Sequence, residues 1–168
     1  MVKLNFKAAG AIFSNNNLVL GGYQYKKKTR FVSGFGGCIE NLEKPIETAI
    51  RETIEEFFEL PIKIPSQLIL NINKKIKPTR KVQNSKYKYI YYHYSFNKLN
   101  TFLSIVKEYL KKEKIKSPLY EEIPENIDQL IFKRKNYKKA EIKQICLLPK
   151  VKNLFICQEF IDDINKIL

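Results

Sequence analysis

Hydrophobic and polar positions change period several times along the chain, and each change predicts an element. Ala8 to Phe13 is a compact apolar run, Ser14-Asn15-Asn16-Asn17 is a polar turn, and Leu18 to Gln24 returns from it. This is the pattern of a strand, a turn and a second strand. Arg30 to Ser33 continues as a short extended segment, and Gly34-Phe35-Gly36-Gly37 predicts a loop. From Lys44 or Pro45 the period lengthens. Ile46, Ala49, Ile50, Ile54 and Phe57 form one apolar stripe at helical spacing, with proline suited to the first turn. Pro61 closes that helix.

Beyond it, Ile62 to Leu70 and Asn71 to Ile76 read as extended segments broken near Pro65. Lys86 to Phe96 is a strand by aromatic and β-branched content. Period two puts Tyr87, Tyr89, Tyr91 and His93 on one face and Ile90, Tyr92, Tyr94 and Phe96 on the other. Thr101 to Lys112 is an amphipathic helix. Gln129 to Arg134 and Glu141 to Pro149 predict strands, and Phe155 to Leu168 a closing amphipathic helix. No linker separates these pieces, so residues 1–168 are expected to form one α/β domain.

Composition narrows the class. With 44% hydrophobic residues the chain is globular rather than disordered. No apolar run reaches the length of a membrane span and no signal-peptide core opens the sequence, so a soluble cytoplasmic protein without a membrane partner is expected. Cys38, Cys146 and Cys157 form neither a CxxC pair nor a disulfide framework. The net charge of +14 favours polyanionic partners such as RNA. The lysine-rich loops at 26–28, 74–81 and 133–139 are the places to contact phosphates. An AT-rich genome would produce the same lysines, and both readings stand.

The candidate chemistry lies around the stripe's helix. Glu52, Glu55 and Glu56 recur at i, i+3 and i+4, so they project from one face, away from the isoleucines. Three like charges that close call for a counter-charge, and a hard divalent cation prefers oxygen ligands. A solvated acidic face is the plainer reading of such a cluster taken alone. His93, the sole histidine, is read as a packed strand residue.

Gly37, five residues, Glu43, seven residues, then Arg51-Glu52-Thr53-Ile54-Glu55-Glu56 resembles the Nudix box, G-x5-E-x7-R-E-U-x-E-E-x-G-U, where U is bulky and apolar. Every charged position and spacing matches, and Glu40 also fits. Phe58 and Glu59 stand where the box has glycine and an apolar residue, which predicts a helix running on toward Pro61. Thr53 and Leu42 are further departures. The resemblance implies the Nudix fold, a mixed β-sheet sandwiched between α-helices, with a helical insertion around 101–117.

The same resemblance implies a divalent-metal-dependent pyrophosphohydrolase that cleaves a nucleoside diphosphate linked to another moiety. Glu52, Glu55, Glu56 and Glu43 would serve Mg²⁺ or Mn²⁺. Arg51 would orient a carboxylate, and Gly36 and Gly37 would let the backbone approach metal and phosphate. Glu56 is the first candidate for general base and Glu141 the second. Lys138-Lys139-Ala140-Glu141-Ile142-Lys143-Gln144-Ile145 is similar to a segment of mRNA-decapping Nudix enzymes, which implies a substrate at the 5′ end of RNA. A small-nucleotide hydrolase (of a dNTP, a nucleotide sugar or a dinucleoside polyphosphate) and a non-catalytic RNA-binding module of the same fold are the alternatives. Monomer and homodimer both remain open.

Overall fold

The computed structural model describes residues 6–26, 29–40, 42–84, 86, 88–149 and 158–165. Strands β1 (Ala8–Ser14) and β2 (Leu18–Lys26) form on either side of the asparagine turn, where Asn15 Oδ1 accepts from the backbone N–H of Asn17 and Leu18. Then come β3 (Thr29–Ser33), β4 (Phe35–Cys38), α1 (Pro45–Phe58), α2 (Ser66–Lys75), β5 (Arg80–Asn84) and β6 (Tyr89–Ser95). Four elements complete the described chain: α3 (Phe96–Lys112), α4 (Ile127–Phe132), β7 (Ile142–Pro149) and α5 (Gln158–Asn165).

The seven strands form one mixed sheet with the path β3-β2-β1-β6-β5. β1 and β6 are parallel, from Ala8 opposite Tyr89 to Ser14 opposite Ser95. On its other edge β1 pairs antiparallel with β4 along Ala8–Ala11 and meets β2 only at Ser14 and Val19. β2 then leaves β1 and pairs with β7. This divergence opens a gap in the sheet, and β4 with its glycines fills the near side of it.

Each face of the sheet has its own core. On one face Ala9, Ala11, Phe13, Leu20, Phe35, Ile90, Tyr92 and Tyr94 pack against the apolar sides of α1 to α4. On the other, Ile12, Val19, Val32, Val82 and Tyr91 meet Phe160, Ile161 and Ile164 of α5. The fold is therefore a mixed α/β sandwich with helices on both faces. The alternation read from β6 holds, with Ile90, Tyr92 and Tyr94 on one side and Tyr89 and Tyr91 on the other. Tyr87 lies outside the described residues, as does the chain on either side of α5. Among the described residues no helix is long and apolar enough to cross a membrane.

Four expectations are corrected. Residues 66–75 form a helix rather than extended chain. Leu68, Ile69, Ile72 and Ile76 are its buried positions, and their spacing is that of one helical face, with Pro65 as N-cap. Residues 127–132 are helical rather than a strand, because Asn126 caps that segment by accepting from the Gln129 N–H at 2.9 Å. The glycine segment expected as a loop is the strand β4. Finally, α1 stops at Phe58 instead of running on toward Pro61. Glu59 follows in the left-handed region, φ 46°, and its N–H reaches Glu55 O at 2.8 Å.

Candidate active site

α1 carries the carboxylates, and its two faces explain their placement. Ala49, Ile50, Ile54, Phe57 and Phe58 are buried against the sheet and α2. Glu52, Glu55 and Glu56 are left at the border between helix and solvent. With Glu59, Leu60, Ile62, Lys139 and Glu141 they line a cavity of about 400 Å³. Five carboxylates and one lysine face that space. Residues far apart in sequence meet here, and the candidate base Glu141 joins the α1 set.

Glu56 is the most enclosed of them, 5% exposed. Its Oε2 accepts the Gly36 backbone N–H at 2.9 Å, which ties α1 to β4. Burial raises its pKa well above the ordinary carboxylate value, and the nearby charges of Glu141 and Glu52 add to that. Glu52 and Glu55 are also raised, first by burial, with Arg51 opposing the shift.

The two glycines of β4 are there for space. Gly36 has φ +154°, and a Cβ on it would lie 2.2 Å from the Tyr89 hydroxyl and 2.5 Å from Ala9 O. A Cβ on Gly37 would lie 2.5 Å from Glu52 Cδ, so the bare backbone makes room for that carboxylate.

Arg51 is 2% exposed and surrounded by acids. Its Nε and Nη2 donate to the two oxygens of Glu43 at 2.9 and 3.2 Å, a bidentate fork. Nη2 also donates to Cys38 O at 3.0 Å, fastening the end of β4 to the helix. Nη1 lies 2.9 Å from both Glu52 Oε1 and Glu55 Oε2, and Glu40 stands 3.9 Å away. Burial works against the arginine's charge, but Glu43, Glu52 and Glu55 outweigh it and raise its pKa. Burial also works against the Glu43 charge. There the hydrogen bonds from Arg51 and Thr48 and the Arg51 charge outweigh it, and hold that carboxyl below its ordinary value. Glu43 is thus spent on Arg51 and the Thr48 hydroxyl and does not line the cavity.

Sequence reading missed Arg134, one of only four arginines in the chain. Its Nη1 donates to Phe57 O at 2.7 Å, and its Nη2 to Glu56 O at 3.0 Å and to Ile142 O at 2.8 Å. Ser117 Oγ donates to Phe58 O at 2.6 Å. With the Glu59 N–H on Glu55 O, the last four carbonyls of α1 each have a partner. A guanidinium at that end also complements the helix dipole. Glu59 Oε1 accepts the Glu141 N–H at 2.9 Å, which anchors the second base candidate beside the first.

The donor set is all carboxylate oxygen, in mutual repulsion and partly withdrawn from water. That is the chemistry a hard divalent cation satisfies. Among the described residues no three acids are gathered as a ready-made ligand cluster. The hydrogen bonds explain why: Glu52 and Glu55 turn toward Arg51, while Glu56 turns toward Gly36.

No family model and no curated protein matches the chain. Solved structures do. A hydrolase of the NUDIX family from Clostridium perfringens aligns over 95% of this chain and 92% of its own, at 16% identity and TM-score 0.39. A bifunctional NMN adenylyltransferase/ADP ribose pyrophosphatase from Francisella tularensis, complexed with AMP and a Mn ion, aligns over 97% of this chain at 13% identity and TM-score 0.49. This chain spans 41% of that protein. A NUDIX hydrolase from Nitrosomonas europaea aligns over 52% of this chain and 55% of its own, at 12% identity and TM-score 0.32. These are distant likenesses.

Proposed function

We propose that the chain is a Nudix hydrolase, a divalent-metal-dependent pyrophosphohydrolase acting on a nucleoside diphosphate linked to another moiety. One observation carries this reading. The box residues Glu52, Glu55 and Glu56 share a cavity with Glu141, and Glu56 is held under the Gly36 amide.

Glu52, Glu55 and Glu56 are the residues that would hold Mg²⁺ or Mn²⁺, and the cation would neutralise phosphate charge and acidify a bound water. The protein's own part is positioning. The Gly36 amide fixes the Glu56 carboxylate, the first candidate to accept a proton from water. Glu141 lines the same cavity as the second acceptor. Among the described residues Lys139 is the one cation lining the cavity, and it would face incoming phosphate. Arg51 keeps Glu52 and Glu55 close to the helix, where a bound cation would compete with it for their oxygens.

Within this class, the 5′ end of RNA is the substrate the surface favours. Lys139, at the end of the basic run that begins at Lys133, lines the cavity, in a chain of net charge +14. The test is a panel of capped RNA, 5′-triphosphate RNA and free nucleoside diphosphate derivatives, with Mg²⁺ or Mn²⁺ and product identification. Turnover confined to RNA ends supports the full reading. Turnover of free nucleotides alone keeps the reaction and removes the RNA assignment. No turnover of any member, together with no metal binding, removes both. Glu56→Gln keeps an acceptor for the Gly36 amide while removing the base. It is expected to fold normally and lose roughly 10²–10⁴-fold in kcat.

A further inference from the structure

A second cavity, of about 550 Å³, lies on the other side of the segment that carries Glu141. It is open to solvent and lined by Tyr23 and Tyr25 of β2, Lys143 and Gln144 of β7, and Arg134 and Asn136 of the connection before β7. Tyr23 and Tyr25 are two residues apart on one strand, so both rings stand on the same face. Tyr23 pairs with Gln144, but Gln24 pairs with Ile142. Lys143 is therefore the extra residue of a bulge, a device that re-aims a side chain at the end of a ladder.

The lining has mixed chemistry. Tyr25 is 54% exposed, a large ring left half in solvent on a regular strand. Among the described residues no hydrogen bond engages its hydroxyl or the side-chain amides of Asn136 and Gln144. Arg134, whose Nη atoms are occupied by carbonyls, has a buried Nε with no hydrogen-bond partner among them. The Lys143 ammonium donates to Lys138 O at 2.8 Å and to Ala140 O, and so folds over the turn that separates the two cavities. Flat aromatic faces, two free amides that each offer donor and acceptor, and positive charge together suit a nucleotide. Rings stack a base, and amides read its edge.

Residues 134 to 143 are the common wall. Arg134, Asn136 and Lys143 face this cavity, while Lys139 and Glu141 face the carboxylates. A single strand that occupied both would carry its phosphates from one side of this wall to the other.

We propose that the Tyr23–Tyr25 cavity binds a base of a single-stranded oligonucleotide whose 5′ phosphates lie in the carboxylate cavity. The last clause rests on the reaction proposed above; binding of the base does not. The test is therefore a binding measurement in EDTA, where no hydrolysis occurs. A 3′-labelled, 5′-hydroxyl ribo-oligonucleotide is titrated with the full chain and followed by fluorescence anisotropy.

Tyr25→Ala is expected to weaken binding roughly five- to hundredfold, and Tyr25→Phe, which keeps the ring, to stay within about twofold. AMP should displace the oligonucleotide only at concentrations far above it. Unchanged binding by Tyr25→Ala, or displacement by AMP at equal concentration, overturns the proposal. Because Tyr25 is half exposed, Tyr25→Ala should keep the wild-type urea midpoint. If that variant unfolds, a Gln144→Ala chain that binds as tightly as wild type overturns the proposal as well. Loss of binding in Tyr25→Ala beside a panel with no turnover overturns the reaction and leaves the base site standing.

Discussion

Arg51 and Gly37 between them set how Glu52 sits. The guanidinium draws the carboxylate to one side, and the bare Gly37 backbone gives it room on the other. Gly37→Ala places a Cβ 2.5 Å from Glu52 Cδ, closer than real Cβ contacts come. The Glu52 carboxylate is the end of a flexible side chain and can swing away, so the fold should survive with a loss of about 1–3 kcal/mol. The ligand geometry should not survive as well. A displaced carboxylate is expected to raise the Mn²⁺ concentration for half-maximal activity by roughly 10–100-fold. A metal titration beside urea denaturation separates the two effects, and an unchanged metal midpoint would show that Glu52 is not a ligand. The charges at this scale were legible because spacing within one helix is enough to place them. That Arg51 orients a carboxylate was legible too, but not that its fork closes on Glu43, which was read with the metal residues. Which carboxylates face the cavity and which are spent on arginine was not, because a one-dimensional pattern does not distinguish a ligand from a brace.

The active end of α1 is built by residues far from it in sequence. Phe58 occupies the place of a glycine in the Nudix box, yet it is fully buried and touches Phe57 and Tyr120 edge to face. The left-handed residue falls one position later, at Glu59. Termination is completed by Ser117 and Arg134. Arg134→Ala leaves three buried carbonyls, of Glu56, Phe57 and Ile142, without that donor. A loss of about 2–3 kcal/mol in unfolding free energy is expected, because charged donors to buried acceptors are worth more than neutral ones. Arg134→Lys should recover only part of it, since an ammonium lacks the planar fork. Denaturation curves test this, and a lysine variant as stable as wild type would refute the fork. No local pattern pointed to this residue, which lies 77 and 78 positions from the α1 carbonyls it binds. The misreadings of α2 and α4 have a different origin. Both are short and rich in isoleucine and leucine, and strand and helix differ there only in spacing. Pro65 and Asn126, the residues that start each helix, were the signals that decide between them.

Across the whole molecule, charge is divided between a recessed acidic cavity and a lysine-rich exterior. Under the proposed function, a cation in the cavity would turn the local field from repelling phosphate to attracting it. The lysines outside would then guide a polyanion inward, whether or not they touch the reacting bond. Lys139 lines the carboxylate cavity, and the carbonyl of its neighbour Lys138 is held by Lys143 of the other cavity. Each phosphate neutralised on a single strand contributes about −0.7 to the slope of log K against log salt. Replacing Lys138 and Lys139 with glutamine is therefore expected to make the slope shallower by roughly 1.4 and to weaken oligonucleotide binding most at low salt. Their effect on AMP binding should be much smaller, because AMP presents one phosphate and no chain. Anisotropy titrations over a salt series, for both chains, measure this directly. A slope unchanged by the double substitution would mean that the lysines answer only to the composition of the genome that encodes them. A slope reduced by the expected amount would assign them to the strand, and with it the route between the carboxylates and Tyr25.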